Sequence, residues 1–288
     1  MLGGVGRALI GGGVLLLLFV AYQLWGTGIH AARAQSSLKS QFERSITAPA
    51  PSPSPAEEAA TPPEAVPGEA VALLRIPRLG VDWAVVEGVG VPDLKKGPGH
   101  YPLTPMPGQP GNSAIAGHRT TYGAPFHDLG ELAAGDEILV TTRQGEFRYL
   151  VESTQVVRPW QTEVLRQPDD PGAALLTLTT CHPKYSARER LIVTAALDPE
   201  VEPAPAPEQP RRQPDEPLAF EDEQSLSGDR AAARPTVLWG LLAAAVALVT
   251  WLVRRRAGRW AYAVGAPVFL VVLFVFYENV ARLLPANI

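Results

Sequence analysis

The chain has 288 residues, 46% of them hydrophobic, and its 25 Lys and Arg nearly balance 29 Asp and Glu for a net charge of −4. That balance, with no basic stripe, excludes electrostatic capture of nucleic acid. A single cysteine, Cys181, excludes an internal disulfide framework, and without CxxC or HxxxH spacing a zinc site has no support.

Residues 1–7 carry Arg7 and a free amine and are expected on the cytoplasmic side. Residues 8–25 form an uncharged apolar run long enough to cross a bilayer. A cleavable signal would have to use Ala32-Arg33-Ala34, which lies too far beyond the run, so the segment reads as a retained anchor. Residues 26–70 follow as a stalk and linker. Ala34–Thr47 has weak helical character, and Ala48–Pro67, with alternating Pro and Ser at 51–55, reads as an extended spacer.

Residues 71–197 are enough for one domain with a core. Short strands are expected at Val71–Ile76, Trp83–Glu87, a run ending at His118, Glu137–Thr142, Glu146–Val157, Leu175–Cys181 and Glu189–Ala196. Their regular spacing predicts an all-β, closed or nearly closed barrel, with short helical turns at Pro125–Leu132 and Trp160–Arg166. Residues 198–235 are a second linker, Pro-rich and then acidic. Residues 236–253 and 260–277 are apolar all round and read as two further transmembrane helices. The loop 254–259 between them holds Arg254, Arg255, Arg256 and Arg259, which places it in the cytoplasm. The central domain and the tail 278–288 are then expected outside.

Cys181 closes the apolar run from Ala174, so a thiol is expected at the C-terminal end of a buried strand. His118 ends another short apolar run, with Gly117 leaving room for close approach, and Arg190 opens a strand just after the loop that follows the cysteine. Thiol, imidazole and guanidinium at strand ends suit acyl transfer: thiolate attack, protonation of a leaving amine, and support of an oxyanion. A cysteine beside two such cations is expected to have a lowered pKa. His182 should point to the opposite face from Cys181, His30 lies beside an apolar span, and His100 and His127 sit in turn-rich loops. Arg188 shares a strand face with Arg190 and is expected to be a solvated charge, whereas Thr179 shares the face of Cys181.

Thr177-Leu-Thr-Thr-Cys181, Arg190-Leu-Ile-Val193 and Ala116-Gly-His118 together resemble the sortases, membrane-bound cysteine transpeptidases of Gram-positive bacteria. The string from Gly117 to Phe126, with Gly97–Pro102 and Pro107–Asn112, is similar to the actinobacterial class E (class D/E) group. The resemblance implies a sortase β-barrel of about eight strands with flanking transmembrane helices. It implies no cofactor and no metal. His118, Cys181 and Arg190 would be catalytic, with Thr179, Tyr122 and Ala116 as substrate contacts. Implied partners are secreted proteins with a C-terminal LPXTG/LAXTG-like sorting signal, a lipid II-like peptidoglycan precursor or pilin lysine as amine acceptor, and the cytoplasmic membrane. C-terminal spans also occur in class C, pilin-building sortases, but the Asp-Pro-aromatic lid of that class is absent before Val71. A catalytically idle peptide-binding module would be expected to lack one of the three groups.

Overall fold

The computed structural model describes residues 2–47, 66–205 and 230–283. The Pro-rich spacer over residues 48–65, the acidic linker over 206–229 and the tail from 284 lie outside the described residues. The chain divides into two compact units, residues 27–220 and residues 1–26 with 221–288.

The first unit is built on eight strands: β1 (Ala70–Ile76), β2 (Val81–Glu87), β3 (Gly99–His100), β4 (Gly111–Ala116), β5 (Glu137–Thr142), β6 (Gly145–Val157), β7 (Ala174–His182) and β8 (Glu189–Leu197). They close into a barrel in the order β1-β2-β3-β4-β7-β8-β6-β5. Alternation drives this arrangement. In β5, Ile138, Val140 and Thr142 are buried while their neighbours are not, which puts one set of side chains inside. Leu74, Ile115, Leu176, Leu178 and Val193 meet them from the other strands in one core. β6 is long enough to pair with β5 through its first half and with β8 through its second, and a register shift at Val151/Ser153 bends it between the two.

Seven of the strands fall where the alternation predicts. β3 does not, because two residues in a turn-rich stretch carry no period. It forms because His100 is buried: its Nδ1 lies 2.9 Å from Glu87 Oε2, and its Nε2 lies 3.0 Å from the Pro105 carbonyl. Gly99 lets the backbones meet, since a Cβ there would strike the Gly88 carbonyl.

Two segments outside the strands belong to the same unit. Helix α2 (Thr27–Thr47) buries Ala31, Gln35, Leu38 and Phe42, a single stripe at helical spacing. Leu38 and Phe42 cover Ala70, Ala84 and Val86 on the outside of β1 and β2. The Gln35 side-chain amide donates to the Ala84 carbonyl at 2.9 Å, and its oxygen accepts from the Ala84 N–H at 2.7 Å. At the other end, the chain continues past β8 along the barrel. Ala204 is buried in the core, its N–H donates to the Gly108 carbonyl at 2.8 Å, and Arg148 is paired with Asp198.

The second unit contains α1 (Leu2–Ala21), a π-helical turn at Tyr22–Gly26, and two longer helices, α4 (Ala233–Ala257) and α5 (Ala261–Leu283); the four-residue α3 (Val91–Leu94) belongs to the barrel unit. Among the described residues, three helices are long and apolar enough to cross a membrane. Small residues set the approach of α4 to α5: Gly265 abuts Thr250, and a Cβ on Gly240 would sit 3.0 Å from the Phe276 ring. Tyr277 donates its hydroxyl to the Leu15 carbonyl at 2.6 Å, tying α5 to α1.

Candidate active site

The barrel order brings three strand ends to one edge. β4 and β7 run parallel up to Ala116 opposite Thr179, and His118 and Cys181 each follow two residues beyond that last pair. β7 and β8 run antiparallel with Cys181 opposite Arg190. Directly opposed residues share a face. Even-numbered Leu176 and Leu178 point into the core, so Cys181 points out of the barrel, together with Thr179 and Arg190. Thiol and guanidinium therefore stand side by side on the outer face of β7 and β8, and His118 lies in the loop two residues beyond the end of β4.

The histidine end is held from several sides. The Gly117 N–H donates to the Thr179 carbonyl at 3.0 Å, and the Thr180 hydroxyl donates to the Gly117 carbonyl at 2.7 Å. A Cβ on Gly117 would meet the Phe126 ring at 2.6 Å, so glycine is required where the chain turns out of β4. Thr121 Oγ1 stands 3.4 Å from His118 Nδ1, and the Tyr122 ring lies 5.1 Å from the imidazole, centroid to centroid. Burial, reinforced by the charge of Lys95, pushes the His118 pKa down to about 4.

Arg190 is half-buried and donates through Nη1 to the carbonyls of Ala187 at 3.0 Å and Glu189 at 3.1 Å. Arg188 is exposed. Tyr101 follows β3 and is near enough to feel the charges of Arg190 and Cys181, and burial pushes its pKa up to about 12. Thr179 and Ala116 share the outer face beside the cysteine but are largely covered, 6% and 8% exposed.

With this geometry, a family model for the sortase domain matches residues 74–198. The chain is 36% identical over 202 residues to sortase SrtE1 of Streptomyces coelicolor, covering 66% of this chain and 55% of that protein. It is 34% identical over 116 residues to sortase D of Bacillus subtilis, covering 40% of this chain and 56% of that protein. Among solved structures, sortase E from Streptomyces avermitilis is 41% identical, spanning 46% of this chain and 90% of that one, with a TM-score of 0.41. Residues 74–198 are a sortase domain. It spans about half the length of the two relatives first named.

Sortases are cysteine transpeptidases, and Cys181 is the one cysteine of this sequence. One expectation about it is overturned. The Cys181 pKa is raised rather than lowered, because burial outweighs the opposing charges of Arg190 and Arg119. The sequence showed the cations but not how far the thiol is withdrawn from water. At neutral pH burial thus keeps the Cys181 thiol and the His118 imidazole each uncharged.

Sequence reasoning also passed over Arg119. Its Nη1 donates to the Cys181 carbonyl at 3.1 Å and to His182 Nδ1 at 3.0 Å, while its Nε donates to the His127 carbonyl at 3.3 Å. His127 answers by donating from Nδ1 to the Arg119 carbonyl at 2.9 Å. The guanidinium thus joins the histidine loop to the end of the cysteine strand. The signal was present in Gly117-His118-Arg119, but a charge next to a candidate base reads as solvated until its burial is known.

Proposed function

We propose that residues 71–197 form the catalytic domain of a membrane-anchored class E-like sortase. In this reading it cleaves a C-terminal LPXTG/LAXTG-like sorting signal between Thr and Gly and transfers the protein to a cell-wall precursor amine. The observation that carries the reading is Cys181 paired with Arg190 across β7 and β8, with β4 parallel to β7 and delivering His118 two residues beyond the Ala116–Thr179 pair. The proton must first pass from the Cys181 thiol to His118. The thiolate adds to the Thr carbonyl carbon, and Arg190 supports the resulting oxyanion. The bond to Gly nitrogen breaks as the His118 imidazolium gives its proton to the leaving amine, and a thioester remains. The acceptor amine then adds to the thioester carbonyl, neutral His118 takes its proton, and the Cys181 thiolate departs. Thr179, Ala116 and Tyr122 border this site and are the proposed substrate contacts.

The experiment is incubation of the full chain in detergent with LAXTG and LPXTG peptides, each with a peptidoglycan-type amine or with a pilin-like lysine peptide. Products are read by mass. Transfer to the peptidoglycan-type amine supports the housekeeping reading. The C-terminal helix pair favours a second reading, pilin polymerisation, and transfer to lysine alone would establish it. Binding without cleavage of any peptide would leave an idle module and overturn both.

We further propose that the domain lies on the outer face of the cytoplasmic membrane of a Gram-positive cell. Spans at 8–25, 236–253 and 260–277 would carry it, with segment 1–7 and loop 254–259 inside. Four arginines in that tight loop outweigh Arg33, Lys39 and Arg44 spread over the stalk. In a Cys181→Ala background, Asn287→Cys should react with an impermeant maleimide on intact cells, and Arg256→Cys should be protected. The opposite pattern would put the domain out of reach of secreted substrates.

A further inference from the structure

The loop that leaves His118 adopts a conformation its sequence does not favour. Tyr122, Gly123 and Ala124 have successive φ values of 51, 78 and 47°, left-handed backbone that a residue with a side chain adopts only when its surroundings hold it there. The surroundings here are α2 and β2. The Tyr122 N–H donates to Thr27 Oγ1 at 3.0 Å, and Thr27 is 1% exposed. A Cβ added to Gly28 would lie 3.8 Å from the Gly123 nitrogen, and one added to Gly123 would strike the Trp83 ring at 2.5 Å, with the Ala31 methyl on hand at 3.7 Å.

The Tyr122 ring held in this way has two partners. His118 lies at 5.1 Å with the ring planes tilted by 38°, and Lys95 Nζ lies 5.6 Å from the Tyr122 centroid. Lys95 follows α3 in the β2–β3 connection, and the next residue is tied to the same helix, because Gln35 Nε2 donates to the Lys96 carbonyl at 3.0 Å. One helix face, from Thr27 to Gln35, therefore fixes both the tyrosine and the turn that carries the lysine.

We propose that α2 is a working part of the catalytic site, its Thr27 and Gln35 acting as positioning residues that hold a Lys95, Tyr122 and His118 cluster and so fix the orientation and electrostatic surroundings of the histidine. The proposal rests on His118 being the acid–base partner read above. Physical chemistry gives the cluster a direction. A fixed ammonium and a covering ring both disfavour the imidazolium, the first by like charge and the second by excluding water. Both act the same way as the downward displacement of the His118 pKa to about 4, for which burial and Lys95 are the causes. Lys95 is the charge that acts on the imidazole from the β2–β3 connection, and Tyr122 on its own loop is the titratable side chain in contact with it; Cys181 and Arg190 face each other on the adjoining β7 and β8. A helix with these contacts makes the poise of the histidine depend on the juxtamembrane segment being docked.

The test is a pH titration of the His118 ring by NMR in the full chain, Cys181→Ala, in detergent micelles with 13C-labelled histidine. The signal is assigned as the one lost in His118→Gln. Lys95→Met and Thr27→Val should each move the midpoint up by roughly half a pH unit or more. Lys95→Arg and Thr27→Ser, which keep the charge and the hydroxyl, should hold it near the parent value. A midpoint that stays put in Lys95→Met or in Thr27→Val, with the other histidine signals unchanged, would overturn the proposal and reduce α2 to a strut. The titration needs no turnover, so it is read independently of whether the chain transfers peptides. Loss of the transpeptidase reading would show instead in the peptide assay.

Discussion

Cys181→Ala leaves a folded protein with no detectable cleavage or transfer of a sorting peptide. The thiol is the only soft nucleophile in the chain, and no second residue stands opposite Arg190 in the β7–β8 register to replace it. The fold should survive. Only the sulfur is removed, and the main-chain pairing of residue 181 with Arg190 and its carbonyl bond to Arg119 do not involve the side chain. Circular dichroism and a melting curve check the fold, and mass-resolved peptide products check the chemistry. Residual turnover above the uncatalysed level would remove Cys181 from the mechanism. A thiol-directed methanethiosulfonate should block the parent enzyme and leave the alanine variant unlabelled.

His118→Ala should lower kcat/KM by about 10³-fold, within the range expected for loss of a positioned acid–base group. The pH profile is more diagnostic than the size of the loss. Burial and Lys95 hold the imidazole near a pKa of about 4, while burial holds the thiol above its ordinary range. Attack needs a thiolate and an imidazolium, a pair that together carries one proton. Below about pH 4 both groups are protonated and no thiolate exists. Above the thiol pKa neither proton remains and the leaving amine has no donor. Between those limits the one-proton form dominates and its ion-pair fraction is constant, so kcat/KM should be flat across neutral pH with an acid limb near 4 and a basic limb above the usual thiol range. His118→Ala should erase the acid limb. A bell centred on neutrality with limbs near 6.5 and 8.5, the unperturbed values, would mean that the site is wetter than this geometry.

Much of this protein is legible in its sequence because local patterns report local physics. Period-two alternation in Glu137–Thr142 and the apolar run ending at Cys181 specify strands, since any other placement would expose their hydrophobic faces to water. Long uncharged runs at both ends specify helices able to cross a bilayer for the same reason. His118, Cys181 and Arg190 could be singled out because each ends or begins such a strand.

What sequence could not supply was neighbourhood. That β4 lies beside β7, and not beside the strand next in the chain, follows from barrel closure, and this alone brings positions 63 residues apart to one edge of the barrel. The stripe on α2 reads only as weak helix until Ala84 and Val86 are there to receive Phe42, and Arg119 reads as a surface charge until the Cys181 carbonyl is found against it. The direction of the thiol's shift went the same way. Charge is written in the sequence, whereas withdrawal from water is a property of everything packed around the group, and here withdrawal is the larger of the two.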